Sequence, residues 1–507
     1  MGSSLHHRPS PPVVRRALLF SVLSLLLLAL APIMPAAAAP PSGQAGQAGP
    51  PPDWPVVETE HFRFYVQPNE ELSADAFVAT YQDQAERALS ELSVVFAVQP
   101  TDKIAVYVYA DTAAFDAAVA ALDAAVDTTG RVEVPGVEAV ADPRANDIAI
   151  AAARFGTRTP LEAENALRHA VSHILTGIAS NFAIPRGFDE GIALYMERPV
   201  NARIARYAAD VLGTSQGGGL LSWSDLNRPR PVIDDENLIA GEAYAVVAFL
   251  ISRYRLPSLQ TFLTTLRTAP DWREALELTY GREPEDIEKQ WRENIPRWAA
   301  GEWKVNLVAG FDLAPARDLL TRGNYAAAKQ ALEGSQQLFS ELGDDERLTE
   351  VDELLTQCDT GLQAEQLMTQ VQQALDHHTY DRAASLLVQA AAQYEKLPVD
   401  QRPTELIATY ETLAVDGVEA GTRLDEAIAR SHRWGDYPEA RSAALQAGTT
   451  YARLGDEEMT AQARSLLADL DGRQRRIVMM LGALAALTIA WLGLWLWARG
   501  RSELAWD

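Results

Sequence analysis

Cysteine is nearly missing from this sequence. Cys358 stands alone among 507 residues, so no intramolecular disulfide can form, and the thiol count says nothing about the redox compartment. With no cysteine near the N-terminal apolar run, a lipid-modified anchor is excluded. Positive charge is also scarce: 44 Lys and Arg face 69 Asp and Glu, a formal net charge of -25. That excludes a nucleic-acid partner, because such binding neutralises phosphates with Lys and Arg. Strand signals are absent beyond residue 311. What is present is a 48% apolar chain long enough for two or three domains.

Both ends carry long apolar runs. Arg8, Arg15 and Arg16 precede the run from Ala17 to about Ala31, and small residues at Ala36 to Ala39 offer a cleavage site. This layout predicts a secretory signal peptide over 1–39, the competing reading being an uncleaved anchor. Residues 40–53, rich in Pro, Gly, Ala and Gln, read as a linker. At the other end, 477–498 carries no charge and closes with Trp491, Trp495 and Trp497, which predicts a transmembrane helix. Arg473, Arg475 and Arg476 before it balance Arg499 and Arg501 behind it, so charge does not set the orientation. The signal peptide does: a single-pass protein of the cell membrane is expected, with its bulk extracytoplasmic and 499–507 as a short cytoplasmic tail.

Between the ends, Val56-Val57, Phe62 to Val66, Ile104 to Tyr109, Val137 to Ala141 and Ile148 to Ala152 read as short strands. Residues 73–97 and 112–126 read as helices, and helices dominate from Pro160 onward. A small sheet followed by helices is an α+β arrangement. Over 311–470 a repeat emerges: Tyr325-x-x-Ala328, Tyr380-x-x-Ala383 and Tyr437-x-x-Ala440. The pattern resembles the tetratricopeptide hairpin, although its period of more than 50 residues exceeds the usual 34. An ordinary helical stalk is the competing reading.

The chemistry concentrates in Arg168-His169-Ala170-Val171-Ser172-His173, with Pro185 to Gly191 behind it. Histidines four apart share one helix face, so both imidazoles can reach one ion. Glu190 lies far enough beyond the Pro185 break to return on a second helix as a third ligand. Zinc takes such nitrogen and carboxylate donors and leaves a position open in catalytic sites. Gly191 is expected to let the two helices approach closely. His377, His378 and His432 have no metal-like partners in sequence.

Residues 54–303 resemble the peptidase MA-like family of gluzincin metallopeptidases. The matching pieces are Glu60-His61-Phe62, the Ile104 to Tyr109 strand, His169-x-x-x-His173, Pro185 and Glu190 to Tyr195. The resemblance implies a zincin-like head, one zinc ion held by His169, His173 and Glu190, and a general base at position 170. Here that position is Ala170, and the Trp often found before the Glu-Gly pair is replaced by Gly187. A methyl group cannot carry the proton of the attacking water, a role worth about 10²–10⁴-fold in rate. Glu164 points off the ligand face and Glu162 lies roughly 10 Å along the helix axis. Asp189 is the remaining substitute base; Tyr195 is a weaker candidate that either polarises a carbonyl or packs. The sequence therefore predicts a membrane-anchored metallopeptidase-like protein impaired in hydrolysis, with a peptide or protein as substrate or partner. The alternative is a non-catalytic scaffold of the cell envelope that binds through the cleft and the helical repeats.

Overall fold

The computed structural model describes residues 53–125, 138–229 and 232–503. The expected signal peptide and nearly all of the linker lie outside the described residues. The head opens with five strands, β1 (Val56–Glu58), β2 (Phe62–Val66), β3 (Ile104–Tyr109), β4 (Ala139–Asp142) and β5 (Asp147–Ala151). They form one sheet in the order β1-β2-β3-β5-β4. The inner pairs β2–β3 and β3–β5 are parallel, with Phe64 opposite Val106 and Val106 opposite Ile148. Both edges are antiparallel. Alternation along β2 and β3 sends Phe62, Phe64, Val66, Ile104, Val106 and Val108 into the core, as a period of two requires.

Helices α1 (Ala74–Phe96) and α2 (Thr112–Ala125) connect the strands, and a short α3 (Ala152–Phe155) leads to the histidine-bearing α4 (Pro160–Ser180). Helix α4 starts at a capping box in which Thr159 and Glu162 satisfy each other's backbone N–H groups, and it ends at Asn181 in the left-handed region. Then come α5 (Arg186–Tyr195), α6 (Asn201–Gly217), α7 (Trp223–Leu226), α8 (Glu236–Tyr254), α9 (Leu256–Thr265), α10 (Trp272–Tyr280) and α11 (Pro284–Ala300). Helices α1 and α4 pack together, and α5 lies against α8. Gly191 serves this second contact rather than the approach to α4 expected from sequence: a Cβ there would stand 2.3 Å from the Ala243 carbonyl oxygen of α8.

Buried Glu242 on α8 accepts a hydrogen bond from Leu221 N–H at 3.1 Å. Burial pushes its carboxyl up to about 7; the Leu221 bond and Arg292 oppose the shift, and Glu288 adds to it. A carboxyl raised in the folded state stabilises most while protonated in both states, and the contribution is lost as pH climbs from 4.5 through 7. Glu242→Gln keeps the acceptor without the charge. It is expected to raise the unfolding free energy from urea titration at pH 8, by up to about 3 kcal/mol, and to leave it unchanged at pH 4.5. A midpoint shift equal at both pH values would contradict this.

The head passes without a break into the helical array. One apolar core runs from Phe62 through Ala414, across the boundary near 303–311 that composition suggests. At the junction Asn306 donates to the Tyr195 carbonyl at 3.0 Å, and Glu341 pairs with Arg255 at 2.8 Å. The array comprises α12 (Ala314–Thr321) and three hairpins: α13 (Tyr325–Leu342) with α14 (Asp345–Asp376), α15 (Tyr380–Tyr394) with α16 (Thr404–Arg430), and α17 (Tyr437–Leu454) with α18 (Glu457–Glu503). The repeated tyrosines open α13, α15 and α17. Tyr325 packs on Gly361, where a Cβ would be 2.3 Å from its ring, and Tyr380 packs on Gly417 in the same way. Both hydroxyls then reach groups 76 residues downstream, the Gln401 carbonyl and the Asp456 carboxylate. The third unit departs from this pattern: the position matching Gly361 and Gly417 falls at Arg473 or Gln474, and Tyr437 is only half-buried. Helix α18 packs on α17 and then continues into an exposed apolar segment from Val478 to Trp497. Among the described residues it is the one helix long and apolar enough to cross a membrane.

Candidate metal centre

On α4, His169 and His173 stand one turn apart with their Nε2 atoms 3.1 Å from each other. Glu190, in the middle of α5, places Oε1 3.8 Å from His169 Nε2 and Oε2 3.8 Å from His173 Nε2. All three donors lie within 4.8 Å of one another, and no other such trio occurs among the described residues. Donors about 2.0–2.1 Å from one tetrahedral ion stand roughly 3.3 Å apart, and the observed spacings bracket that value.

The outer nitrogens are held as firmly as the inner ones. His169 Nδ1 meets Glu197 at 3.0 Å, and His173 Nδ1 meets Asp189 at 2.8 Å. Burial opposes ionisation of Asp189 and Glu197. For Asp189 the His173 and Thr176 contacts outweigh burial, and for Glu197 those of His169 and Arg203 do, so both carboxyls stay below their ordinary range. An ionised carboxylate only accepts hydrogen bonds, so each Nδ1 carries a hydrogen and each Nε2 is the nitrogen left to bind a metal ion. The two Nε2 atoms, 3.1 Å apart, are placed to share one cation, a proton or a metal ion. Burial works against charging His169, but Glu190 and Glu197 prevail and raise it to about 9. The donor set, the spacing and the orienting carboxylates all fit a zinc ion, and the outer carboxylates match the arrangement that sets the tautomer of metal-binding histidines.

The other sequence candidates fall outside the donor triangle. Asp189 stands behind His173, with its second oxygen accepting from Thr176 Oγ1 at 2.6 Å, so both oxygens are committed away from the triangle. Tyr195 is buried, its hydroxyl accepts from Leu307 N–H at 3.0 Å, and burial pushes it up to about 12. It closes the junction with the array. Ala170 is buried among apolar side chains.

His169 and Glu190 line a cavity of about 450 Å³. Most carboxylates around it are already engaged: Glu138 with Arg158 at 3.1 Å, Glu162 in the α4 cap, and Glu197 with His169 and Arg203. Glu236, at the start of α8, lines the same cavity and has no hydrogen bond or ion pair among the described residues.

Glu197 escaped the sequence reading. It lies seven residues past Glu190, but the helix ends at Tyr195, so that spacing gives the two no shared face and nothing local marks Glu197. Its position is set from below: buried Arg168 donates through Nε to the Met196 carbonyl at 2.8 Å and pairs with Glu91 at 2.6 Å. Arg198 pairs with Glu91 and Glu164 while its backbone N–H donates to Asn165 at 2.7 Å. Removing the orienting group by Glu197→Ala is expected to weaken zinc binding about 10–100-fold, measured by competition with a chromogenic chelator. An unchanged affinity would show that His169 needs no partner behind it.

No curated protein and no solved structure shows a significant match to the chain. Residues 84–297 match the family model of the Peptidase MA superfamily, and that span holds His169, His173 and Glu190 together with the Asp189 and Glu197 carboxylates that orient the imidazoles.

Proposed function

We propose that this is a single-pass membrane protein whose peptidase-like head lies outside the cytoplasm and holds one zinc ion through His169, His173 and Glu190. The head binds peptide or protein segments in its cleft but hydrolyses them poorly. One observation carries this reading: a donor triangle complete to its orienting carboxylates, beside a helix position, Ala170, that holds no carboxylate. The matched superfamily is typically zinc-dependent, which supports the metal. Zinc bound there would supply a Lewis acid that polarises a peptide carbonyl. The chain's own residues hold and orient the donors through Glu197 and Asp189, and no side chain at position 170 is able to accept or return a proton. The apolar length of α18 supports the membrane anchor, and the signal-like residues 1–39 support the extracytoplasmic side.

A scaffold role resting on the array is the second reading. It is favoured by a cavity of about 520 Å³ between the hairpins, lined by Tyr325, Met368, Tyr394, Gln401 and Tyr410 among others.

Metal analysis of the purified full chain tests the proposal. About one zinc per chain is expected, and close to none for His169→Ala, which leaves two protein donors where three are needed. A metal-free native protein that takes up no zinc on titration would remove the metal reading and leave the scaffold. Peptide hydrolysis at ordinary enzyme rates would overturn the impaired site.

A further inference from the structure

The third hairpin breaks the repeat at its corner, and the break exposes a tryptophan. Three residues before each repeated tyrosine stand Arg322, His377 and Trp434. In the first two corners Gly323 and His378 take the left-handed conformation, with φ of 71° and 53°. The third corner is a turn of 3-10 helix over Trp434–Asp436, and its Gly435 adopts no positive φ. Trp434 is left 69% exposed, although it is among the largest apolar side chains of the array.

This corner is fastened to the base of the apolar helix. Arg473 of α18 donates to the Ser431 carbonyl at 3.2 Å and pairs with Asp469 at 2.6 Å, while Arg441 of α17 pairs with Asp471 at 3.0 Å. The uncharged run starts at Ile477, four residues past Arg473, which is only about 6 Å along a helix. Around the same level Arg430, Arg433, Arg475 and Arg476 are exposed and form no ion pair among the described residues. The acidic groups Asp469 and Asp471 facing them are already paired, which leaves Asp436 and Glu439 on the corner itself. An exposed indole on a corner that carries Arg430 and Arg433 and is tied to α18 just before Arg475, Arg476 and the apolar run has the chemistry of a bilayer interface. The ring suits the headgroup boundary, and arginines reach phosphates while their stems lie on apolar surface.

We propose that the α16–α17 corner rests on the membrane, with Trp434 at the headgroup boundary and Arg430, Arg433, Arg475 and Arg476 gathering anionic phospholipid headgroups. The proposal rests on α18 spanning the bilayer, on whichever side the head lies. It makes the array a prop that contacts the surface at a second point beside the span.

The test uses the full chain in nanodiscs containing phosphatidylcholine and phosphatidylglycerol, in a Cys358→Ala background. A fluorophore is attached through His432→Cys, which keeps Trp434, with Leu278→Cys on the head and Leu484→Cys in the apolar helix as controls. Headgroup nitroxides are expected to quench the corner label at least threefold more than the Leu278 label. Nitroxide on phosphatidylglycerol should quench it at least twofold more than the same mole fraction on phosphatidylcholine. The ratio should fall to one when the four arginines are replaced by Gln. Equal quenching by both carriers in the native corner would overturn the anionic-lipid assignment. Corner quenching no stronger than at Leu278, with Leu484 quenched by acyl-chain nitroxide, would overturn the contact while leaving the span intact. If Leu484 is not quenched, the membrane reading fails first and the corner proposal falls with it.

Discussion

Ala170→Glu is expected to raise peptide hydrolysis about 10²–10⁴-fold over the native chain, the range that a positioned proton carrier supplies. Position 170 adjoins His169 on α4, and the native methyl group is buried. A carboxylate introduced there must reach toward the donor triangle to escape its apolar surroundings. The variant is therefore expected to unfold at a lower temperature than the native chain, because a buried charge without a partner is costly. Zinc content separates the outcomes. A variant that keeps about one zinc and gains turnover shows that the native head lacks the base and little else. A variant that keeps its zinc and gains nothing shows that the cleft has lost more than one side chain. Should the native chain itself hydrolyse peptides, Glu236 is where its base should be sought, since it lines the cleft with no hydrogen bond or ion pair among the described residues, Arg186 acting on it only through its charge. Glu236→Gln would then abolish turnover while leaving zinc content unchanged.

Sequence made the donor triangle legible but not what holds it. His169 and His173 announce themselves because a helix converts a spacing of four into a shared face, and the Pro185 break marks where Glu190 can return. The strands were readable from alternation, and Phe62–Val66 and Ile104–Tyr109 are bounded as the pattern predicts. The groups behind the imidazoles carry no such period. Glu197 is 28 residues from His169, and the contact exists only because the chain turns after α5 and is pinned by Arg168 from a different helix. Asp189 looked like a spare base because it adjoins Glu190, yet adjacent residues on a helix point about 100° apart, and here that rotation places it behind His173. Gly191 makes a close contact with α8 and not the approach of α4 to α5 that the sequence implies, a choice of partner that local sequence does not encode. The tyrosine spacing revealed a repeat unit. That the last unit's second helix is also the apolar span depends on an uninterrupted helical register through Arg475 and Arg476, where composition alone suggests a boundary.

Glu91→Ala is expected to destabilise the head by about 3–5 kcal/mol, the cost of breaking a buried ion pair from one side. Glu91 is the shared anion of two guanidinium groups, Arg168 at 2.6 Å and Arg198 at 2.8 Å, and Arg168 is fully buried. Burial already pushes the Arg168 guanidinium below its ordinary range, and neighbouring Arg198 pushes the same way, so losing Glu91 leaves buried Arg168 without an ion-pair partner, while Arg198 keeps Glu164. Exposed Lys329 and Asp359, 2.7 Å apart, give the contrast: Lys329→Ala should move the urea midpoint far less, because solvent screens such pairs. Urea midpoints measure both. The same substitution should reach the metal centre, since Arg168 and Arg198 hold the Met196–Arg198 turn and thereby place Glu197 behind His169. Zinc affinity of Glu91→Ala, measured where the variant is still folded, is expected to fall by about the 10–100-fold of Glu197→Ala itself. The double variant should then lose little more than either single one, because both remove the same support for one imidazole. Full additivity would mean that the buried arginines stabilise the head without positioning its donors.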